Sequence, residues 1–326
     1  MSTDPFDQIW SDTLEPRLLS LESERQAAVR VLWIRIVALG LLGLLVTAIF
    51  LIFGAVDFPW FLPPGIAIAI GAGWGMVPLT TLRKRVKSEI NTTVTDVFGL
   101  SYSVTSHAPG FNTFETLGLL PYHDRSSFED HIAGPVDGSQ MELYEAHLEE
   151  RRRSKNRTYY VTVFRGVLIR IQFPRKVEGT TVITRDRGWF NGLTAMGKKW
   201  GSKKLERIGL VDPTFEKIFE VYGDDQVLAR YMLTPSFMER LMDLEKALHG
   251  KQVRAAFLPG EAGQGGELIL AAETGNQFEV GSMFQPLASK TRVETVVREL
   301  AALRRVIAFL IKPASESGEF ADRGER

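Results

Sequence analysis

The sequence contains no cysteine, no excess of either charge and few histidines, and each absence narrows the range of functions. Without cysteine, the 326 residues form no disulfide, thiolate nucleophile or cysteine-ligated zinc site, which suits a reducing compartment. The 39 basic and 39 acidic side chains balance, so no overall positive field attracts nucleic acid. The five histidines are scattered, and the common hydrolase, metalloprotease and dinucleotide-binding motifs do not occur. We therefore predict no cofactor, no metal and no nucleic-acid partner.

Two long apolar stretches stand near the beginning of the chain. Residues 36–56 and 62–82 are each about 21 residues long, enough for an α-helix to cross about 30 Å of hydrocarbon. The five residues between them are too few for a folded unit, and helices satisfy their own backbone groups in lipid. The sequence therefore predicts a transmembrane helical hairpin in a lipid bilayer.

Basic residues on both sides of the hairpin predict its orientation. The loop between the two stretches carries only Asp57, whereas the outer flanks carry Arg25, Arg30, Arg35, Arg83, Lys84, Arg85 and Lys87. Because positive flanks stay in the cytoplasm, both termini and the main domain are predicted to be cytoplasmic. We expect a multi-pass membrane protein.

Small residues predict close packing of the two membrane helices. Gly40 and Gly43 lie in the first stretch, and Gly71 and Gly75 are four residues apart in the second, a spacing that lets helix backbones approach. The partner surface is either the other helix of the same hairpin, which we favour, or a second copy of the chain in a homo-oligomer.

The remaining sequence predicts an α+β fold with a largely antiparallel sheet and flanking helices. We divide the chain into a cytoplasmic leader helix (1–31), the hairpin (32–87), an α+β domain (88–312) and a disordered tail (313–326). The second membrane helix is expected to continue to about Val97. Arg165-Gly166 is expected to form the turn of a β-hairpin. Strands are predicted at 100–105, 141–150, 158–164, 167–173, 180–184, 207–210, 215–222, 253–258 and 267–272, and helices at 111–119, 234–249 and 291–310.

Several short runs carry a family resemblance. They are Glu145 in its strand, Val163-Phe164-Arg165-Gly166-Val167-Leu168, the run from Asp212 to Phe219, Val221 to Gln226, and Ala229 to Pro235. Over roughly residues 90–290 the chain resembles a bacterial membrane-protein family, the domain of unknown function three-one-three-seven. The resemblance implies a cell-membrane protein with a cytoplasmic domain, and it implies no reaction, ligand or catalytic residue.

The Gly223-Asp224-Asp225-Gln226 turn is the first candidate site. Arg230 follows it and could bind an anionic ligand, while the two carboxylates could bind a divalent cation. The alternative, which we favour, is that an aspartate caps the next short helix.

A second candidate is the strand face of Glu145, His147 and Glu149, which has the chemistry of a metal or acid–base site. We favour an ordinary polar strand face there.

A basic segment rich in aromatic residues is the third candidate. Trp189, Phe190, Leu193, Met196 and Trp200 fall on one helical stripe, and Lys198, Lys199, Lys203 and Lys204 lie around it. Such a segment is typical of a surface that binds anionic lipid, although a lid on the sheet with solvated lysines is the favoured alternative. The charged loop 151–155 would extend the patch or form a polar hairpin tip. The glycine-rich run 260–266 is expected to be a flexible hairpin loop.

These observations predict a membrane-anchored cytoplasmic module that binds or scaffolds. Its expected partner is a protein or an anionic lipid surface. The alternative is a membrane-tethered enzyme that uses Asp224, Asp225 and Arg230, or the Glu145 face, on an unidentified substrate. A third hypothesis is homo-oligomeric scaffolding through the glycines of the second span.

Overall fold

The computed structural model describes residues 10–53, 59–155, 157–185, 199–200, 203–210, 212–247, 251–260, 265–279 and 281–311. The chain divides into two compact units. The anchor unit comprises Met1–Thr93 and Glu279–Val296, and the sheet unit comprises Val94–Phe278 and Val297–Arg326.

Two long helices dominate the anchor unit. A π-helical turn, Trp10–Leu14, leads into α1 (Glu15–Ile52), and α2 spans Leu62–Val97. Each helix begins with proline in its first turn, where the missing amide hydrogen costs nothing. The end of α2 at Val97 confirms the predicted continuation of the second stretch. The predicted tail, 313–326, lies outside the described residues.

The sheet unit is built on nine antiparallel strands, which confirms the predicted α+β class with its antiparallel sheet. The strand order is β1-β2-β3-β4-β11-β10-β5-β9-β8. The strands of this sheet are β1 (Ser101–Thr105), β2 (Arg125–Val136), β3 (Ser139–Ser154), β4 (Arg157–Phe173), β5 (Thr181–Arg185), β8 (Glu206–Ile208), β9 (Phe219–Gly223), β10 (Lys251–Pro259) and β11 (Gly266–Glu273). A separate two-stranded ladder joins β6 (Lys199–Trp200) and β7 (Lys203–Lys204). The helices are α3 (Phe111–Thr116), α4 (Pro213–Glu216), α5 (Gln226–Met232), α6 (Pro235–Ala247) and α7 (Lys290–Ile311).

The predicted hairpin turn at Arg165-Gly166 is wrong. β4 is one unbroken strand that pairs with β3 from Arg157 to Ile171, with one register shift, and Gly166 lies inside it opposite Ala146. The glycine serves a different purpose, because a Cβ there would overlap the carbonyl oxygen of Ala272 on the neighbouring strand β11. Close strand approach, not a turn, therefore explains the glycine.

Two further strand predictions need correction. The strand predicted over 215–222 begins only at Phe219, because Asp212 caps the single helical turn α4 before it. Residues 125–136, for which no strand was predicted, form β2. Gly134 and Pro135, together with the charged run Glu129–His131, conceal the alternating pattern of that strand.

Both faces of the sheet are packed. α3 and residues 117–120 cover one face, where Tyr144, Leu168 and Ile269 are fully buried with Phe114. On the other face, the ring of Phe257 contacts those of Phe173 and Phe237, the latter on α6. The core therefore lies on both sides of the central strands β3, β4, β11 and β10.

Candidate functional site

The outer surface of the anchor helices is the most unusual surface in the structure. Four large apolar residues each expose more than half of their accessible surface. They are Ile34 and Leu41 on α1, and Ile70 and Trp74 on α2. In the most apolar window of each helix, 17% and 22% of the residues are buried. Both helices are long and apolar enough to cross a membrane, which indicates membrane association.

The four predicted packing glycines all lie between α1 and α2. A Cβ on Gly43 would come within 2.6 Å of Pro64 Cα, and one on Gly71 within 2.9 Å of the Arg35 carbonyl oxygen. A Cβ on Gly75 would come within 2.9 Å of Leu32 Cα, and one on Gly40 within 3.3 Å of the Ile68 side chain. The glycines therefore serve the contact within one hairpin, and Gly71 and Gly75 do not present an open face to a second chain.

Polar contacts continue this antiparallel pairing towards both ends. The Thr47 hydroxyl donates to the Trp60 carbonyl at 3.1 Å, near the connecting loop. Arg35 donates to the Trp74 carbonyl at 2.7 Å, and its guanidinium lies 4.2 Å from the centre of the Trp74 ring. Such a cation and tryptophan pair is typical of a membrane–water interface.

A charged cluster joins the base of the two helices to residues 279–287 of the same unit. The Glu22 carboxylate accepts hydrogen bonds from the Arg25 guanidinium at 2.6 Å and from the Leu287 backbone amide at 2.9 Å. Arg25 also donates a hydrogen bond to the Met283 carbonyl. The hydrogen bond from Arg25 lowers the Glu22 pKa to about 2. Glu279 pairs with Lys87 at 3.2 Å and with Arg83. Burial raises the Glu279 pKa, but the two cations outweigh it and the net shift is downward.

The Gly223–Gln226 turn uses its carboxylates for backbone hydrogen bonds. Asp225 is the N-cap of α5 and accepts from the amides of Val227 and Leu228 at 2.8 and 3.0 Å. Asp224 accepts from the Thr180 amide at 2.7 Å, next to the start of β5. Arg230 donates to the Gly209 carbonyl at 3.4 Å. This geometry is the one expected of a structural turn, and ligand binding by these residues stays a prediction.

Glu145 lies in an acidic cluster that the sequence did not reveal. Carboxylate oxygens of Glu129, Asp130 and Glu145 lie within 4.8 Å of one another, and such a group could hold a divalent cation. The Tyr102 hydroxyl donates a hydrogen bond to the Asp130 carboxylate at 2.6 Å, and the backbone amide of Gln277 donates one to the Glu145 carboxylate at 2.8 Å. His147, the other central member of that candidate strand face, contacts the Thr162 hydroxyl, whereas Glu145 is buried and not part of an exposed polar face.

A polar cleft of about 500 Å³ opens on the α3-side face of the sheet. Arg170 lies among its lining residues, 2.6 Å from Glu267 and 3.6 Å from Glu142. Burial works against the charged form, but the two carboxylates dominate and raise the Arg170 pKa. The cleft was not foreseen, because its residues come from strands that are distant in sequence and that adjoin in the sheet.

The basic segment predicted to bind lipid lies largely outside the described residues, including Trp189 and Lys198. The described part is not helical, because Lys199-Trp200 pairs as a strand with Lys203-Lys204. The single helical stripe predicted through Trp200 is therefore wrong at its end. Lipid binding by these residues stays a prediction.

The other predicted basic feature, the Arg151–Lys155 run, ends a projecting ribbon of β3 and β4. Beyond Glu149, β3 no longer pairs with β2, and before Val167, β4 does not pair with β11. In the strand ladder, residues 150–154 and 157–161 pair only with each other, and the Arg151 amide also donates to the Asp124 carboxylate at 2.7 Å. We call these two segments the basic ribbon.

Together these features define an α+β protein with two helices suited to a membrane. Residues 162–312 match the family described as "Protein of unknown function (DUF3137)", which confirms the family resemblance seen in the sequence. No protein of curated function matches the chain. Among solved structures, it is similar to that of the mycobacterial trehalose monomycolate transport factor A, TtfA, at 10% identity and a TM-score of 0.32. That alignment covers 70% of this chain and 99% of the other.

Proposed function

We propose that this chain is a membrane-anchored binding module without a reaction of its own. α1 and α2 cross a bacterial inner membrane as a hairpin and hold the sheet unit on the cytoplasmic side. There the sheet unit engages a protein partner or the anionic lipid surface. One observation carries the proposal, namely the wide apolar surface that the two helices leave exposed.

The size of that surface favours lipid as its covering. Full burial of one large aliphatic side chain is worth about 1.5–3 kcal/mol, and monomers in water rarely expose apolar patches above a few hundred Å². Large exposed apolar residues continue along α1 from Trp33 to Phe53 and along α2 from Leu62 to Val77. Basic residues follow this zone in α2, beginning at Arg83, and precede it in α1 at Arg25 and Arg30, with Arg35 at its edge, as expected for an inner-membrane hairpin.

Two measurements on the full chain test the anchor and its orientation. Membranes washed with carbonate at pH 11 should retain the protein. Because the chain lacks cysteine, single cysteines report topology without background. A membrane-impermeant maleimide should label Asp57→Cys in intact spheroplasts and Ser154→Cys only after lysis. Release by carbonate, or the opposite labelling pattern, would overturn the proposal.

Native mass spectrometry of the protein, gently extracted from its own membrane, tests the binding role. A stoichiometric protein or phospholipid would support the module and identify its partner. A retained metal or small metabolite, without either, would favour the membrane-tethered enzyme and direct attention to the Arg170 cleft and the Glu145 cluster.

A further inference from the structure

The basic ribbon projects well beyond the rest of the sheet. Its two segments form five consecutive cross-strand pairs, from Glu150↔Val161 to Ser154↔Arg157. At about 3.3 Å per residue this is an arm of about 16 Å. A lone pair of strands is marginal in water, so an arm of this length calls for further stabilisation.

The ribbon concentrates positive charge in a chain that is neutral overall. It and its tip carry Arg151, Arg152, Arg153, Lys155 and Arg157, all of them exposed, against Glu150 in the ribbon and Asp124 beside it. Arg152 pairs with Glu150 at 3.0 Å, and the Asp124 carboxylate accepts a hydrogen bond from the Arg151 backbone amide at 2.7 Å. Within the described part of the chain, the side chains of the other four cations form no ion pair. The arm therefore holds an excess of positive charge, at an electrostatic cost that an external anion would relieve.

Aromatic residues accompany these cations. Arg151 lies opposite Tyr160 in the ladder, so the two side chains share one face, which also carries Arg153. Arg125, from the end of β2, stacks 3.4 Å from the centre of the Tyr160 ring. On the other face Tyr159 lies opposite Arg152 and is 48% exposed. Both faces thus combine guanidinium groups with a tyrosine.

We propose that the basic ribbon binds the anionic phosphate headgroups of the bilayer in which α1 and α2 are anchored. This inference rests on the proposed membrane anchor and names the surface that the module engages. Guanidinium groups bind phosphate through paired hydrogen bonds, and tyrosine is enriched at membrane interfaces. The proposed anchor and the ribbon belong to one chain, so the tether raises the effective concentration of lipid headgroups around the ribbon. The balanced charge of the whole chain favours this local contact over nucleic acid.

The test uses the full chain in lipid nanodiscs. Ser154→Cys at the ribbon tip is labelled with a donor fluorophore, and the acceptor is carried by a trace lipid headgroup. Energy transfer is compared between phosphatidylcholine discs and discs with three parts in ten of phosphatidylglycerol, at 0.1 M and 1 M salt. The Debye length falls from about 10 Å to about 3 Å between these two salt concentrations.

We expect transfer at least twofold higher in the anionic discs at 0.1 M salt, with the difference lost at 1 M. The double substitution Arg151→Gln and Arg153→Gln should also abolish the difference in transfer between anionic and neutral discs. The matched control is the double substitution Lys176→Gln and Arg207→Gln, which removes the same charge from exposed positions elsewhere in the sheet unit. It should leave the difference in transfer between the two kinds of disc unchanged. Both variants are compared by circular dichroism and thermal melting, and a third, Arg153→Glu, should give the same loss if the double variant misfolds.

Equal transfer in neutral and anionic discs would overturn the proposal, as would an equal loss in the control variant. Ribbon-dependent binding of a 30-base-pair DNA duplex, without the lipid effect, would also overturn it. Failure of the chain to enter nanodiscs at all would instead refute the membrane anchor, so the two proposals fail in different ways.

Discussion

Gly43 on α1 is pressed against the backbone of Pro64 on α2. A Cβ at Gly43 would lie 2.6 Å from Pro64 Cα and 2.9 Å from its nitrogen, distances that real Cβ atoms do not reach. The obstacle is backbone and not a flexible side chain, so a larger residue must push the helices apart. Gly73, on the same hairpin, has no atom within 4 Å of an added Cβ.

Gly43→Leu should therefore destabilise the hairpin, by about 1–3 kcal/mol for overpacking, whereas Gly73→Leu should be close to neutral. Thermal unfolding of the purified chain in detergent, followed by tryptophan fluorescence, measures the difference. Equal effects of the two substitutions would show that the helices do not pack as described.

Gly166→Ala should destabilise the sheet unit. The new methyl group would overlap the Ala272 carbonyl oxygen and lie 2.7 Å from the Thr274 nitrogen, which forces β4 and β11 apart at a cost of about 1–3 kcal/mol or more. The control is Gly209→Ala, whose nearest neighbour would be 3.8 Å away and which should be neutral or stabilising by up to about 1 kcal/mol. Urea unfolding followed by far-ultraviolet circular dichroism compares them. A wild-type midpoint for Gly166→Ala would contradict the register of these strands.

Asp225→Ala should cost about 1 kcal/mol, because it removes the cap of α5. Asp225→Ser should recover most of that loss, since a serine hydroxyl also accepts from the first amides of a helix. The same urea experiment gives both values. If Ser recovers stability while a separately measured binding activity stays lost, Asp225 is a ligand as well as a cap.

The stability of the anchor unit should fall in acid through Glu22. Its folded pKa, about 2, lies below the ordinary value of 4.5, so the carboxylate contributes stability above pH 4.5 and loses it as the pH falls towards 2. Glu22→Gln should therefore destabilise the protein at pH 7, by about 1–3 kcal/mol for a lost charged hydrogen bond, with a difference that shrinks steadily below pH 4.5. Thermal unfolding at several pH values measures this.

Glu24→Gln is the natural control for that substitution. Glu24 is two residues away and pairs with Arg85 at 2.8 Å, but both side chains are at least half exposed. An exposed pair of this kind is worth between zero and about 1 kcal/mol. A larger loss from Glu24→Gln than from Glu22→Gln would contradict the assignment of the buried pair.

Features that depend on local sequence were predictable. The two long apolar helices, the extension of α2 to Val97 and the long α7 each follow from an apolar run or stripe that needs no distant partner. The cap at Asp225 follows from a glycine and aspartate pattern before a short helix.

Features that depend on distant strands were not predictable. Gly166 has the sequence signature of a turn, and only the unbroken pairing of β4 with β3 on both sides of it shows that it lies inside a strand. The acidic cluster needs Glu129 opposite Glu145 and a register shift that begins at Glu129, and β2 itself has no clear alternation. The Arg170 cleft likewise exists only once five strands, β2, β3, β4, β11 and β10, are side by side.

The position of β4 also sets the order in which this protein can be built on the ribosome. β1 to β4 follow one another along the chain and can pair as each emerges. The next partner of β4 is β11, so residues 174–265 must be synthesised before that edge is closed. At about 5–20 residues per second, this leaves the edge of β4 unpaired for about 5–20 seconds. Under the proposed anchor, the helix pair emerges first and enters the membrane, so the half-finished sheet is tethered there during that interval.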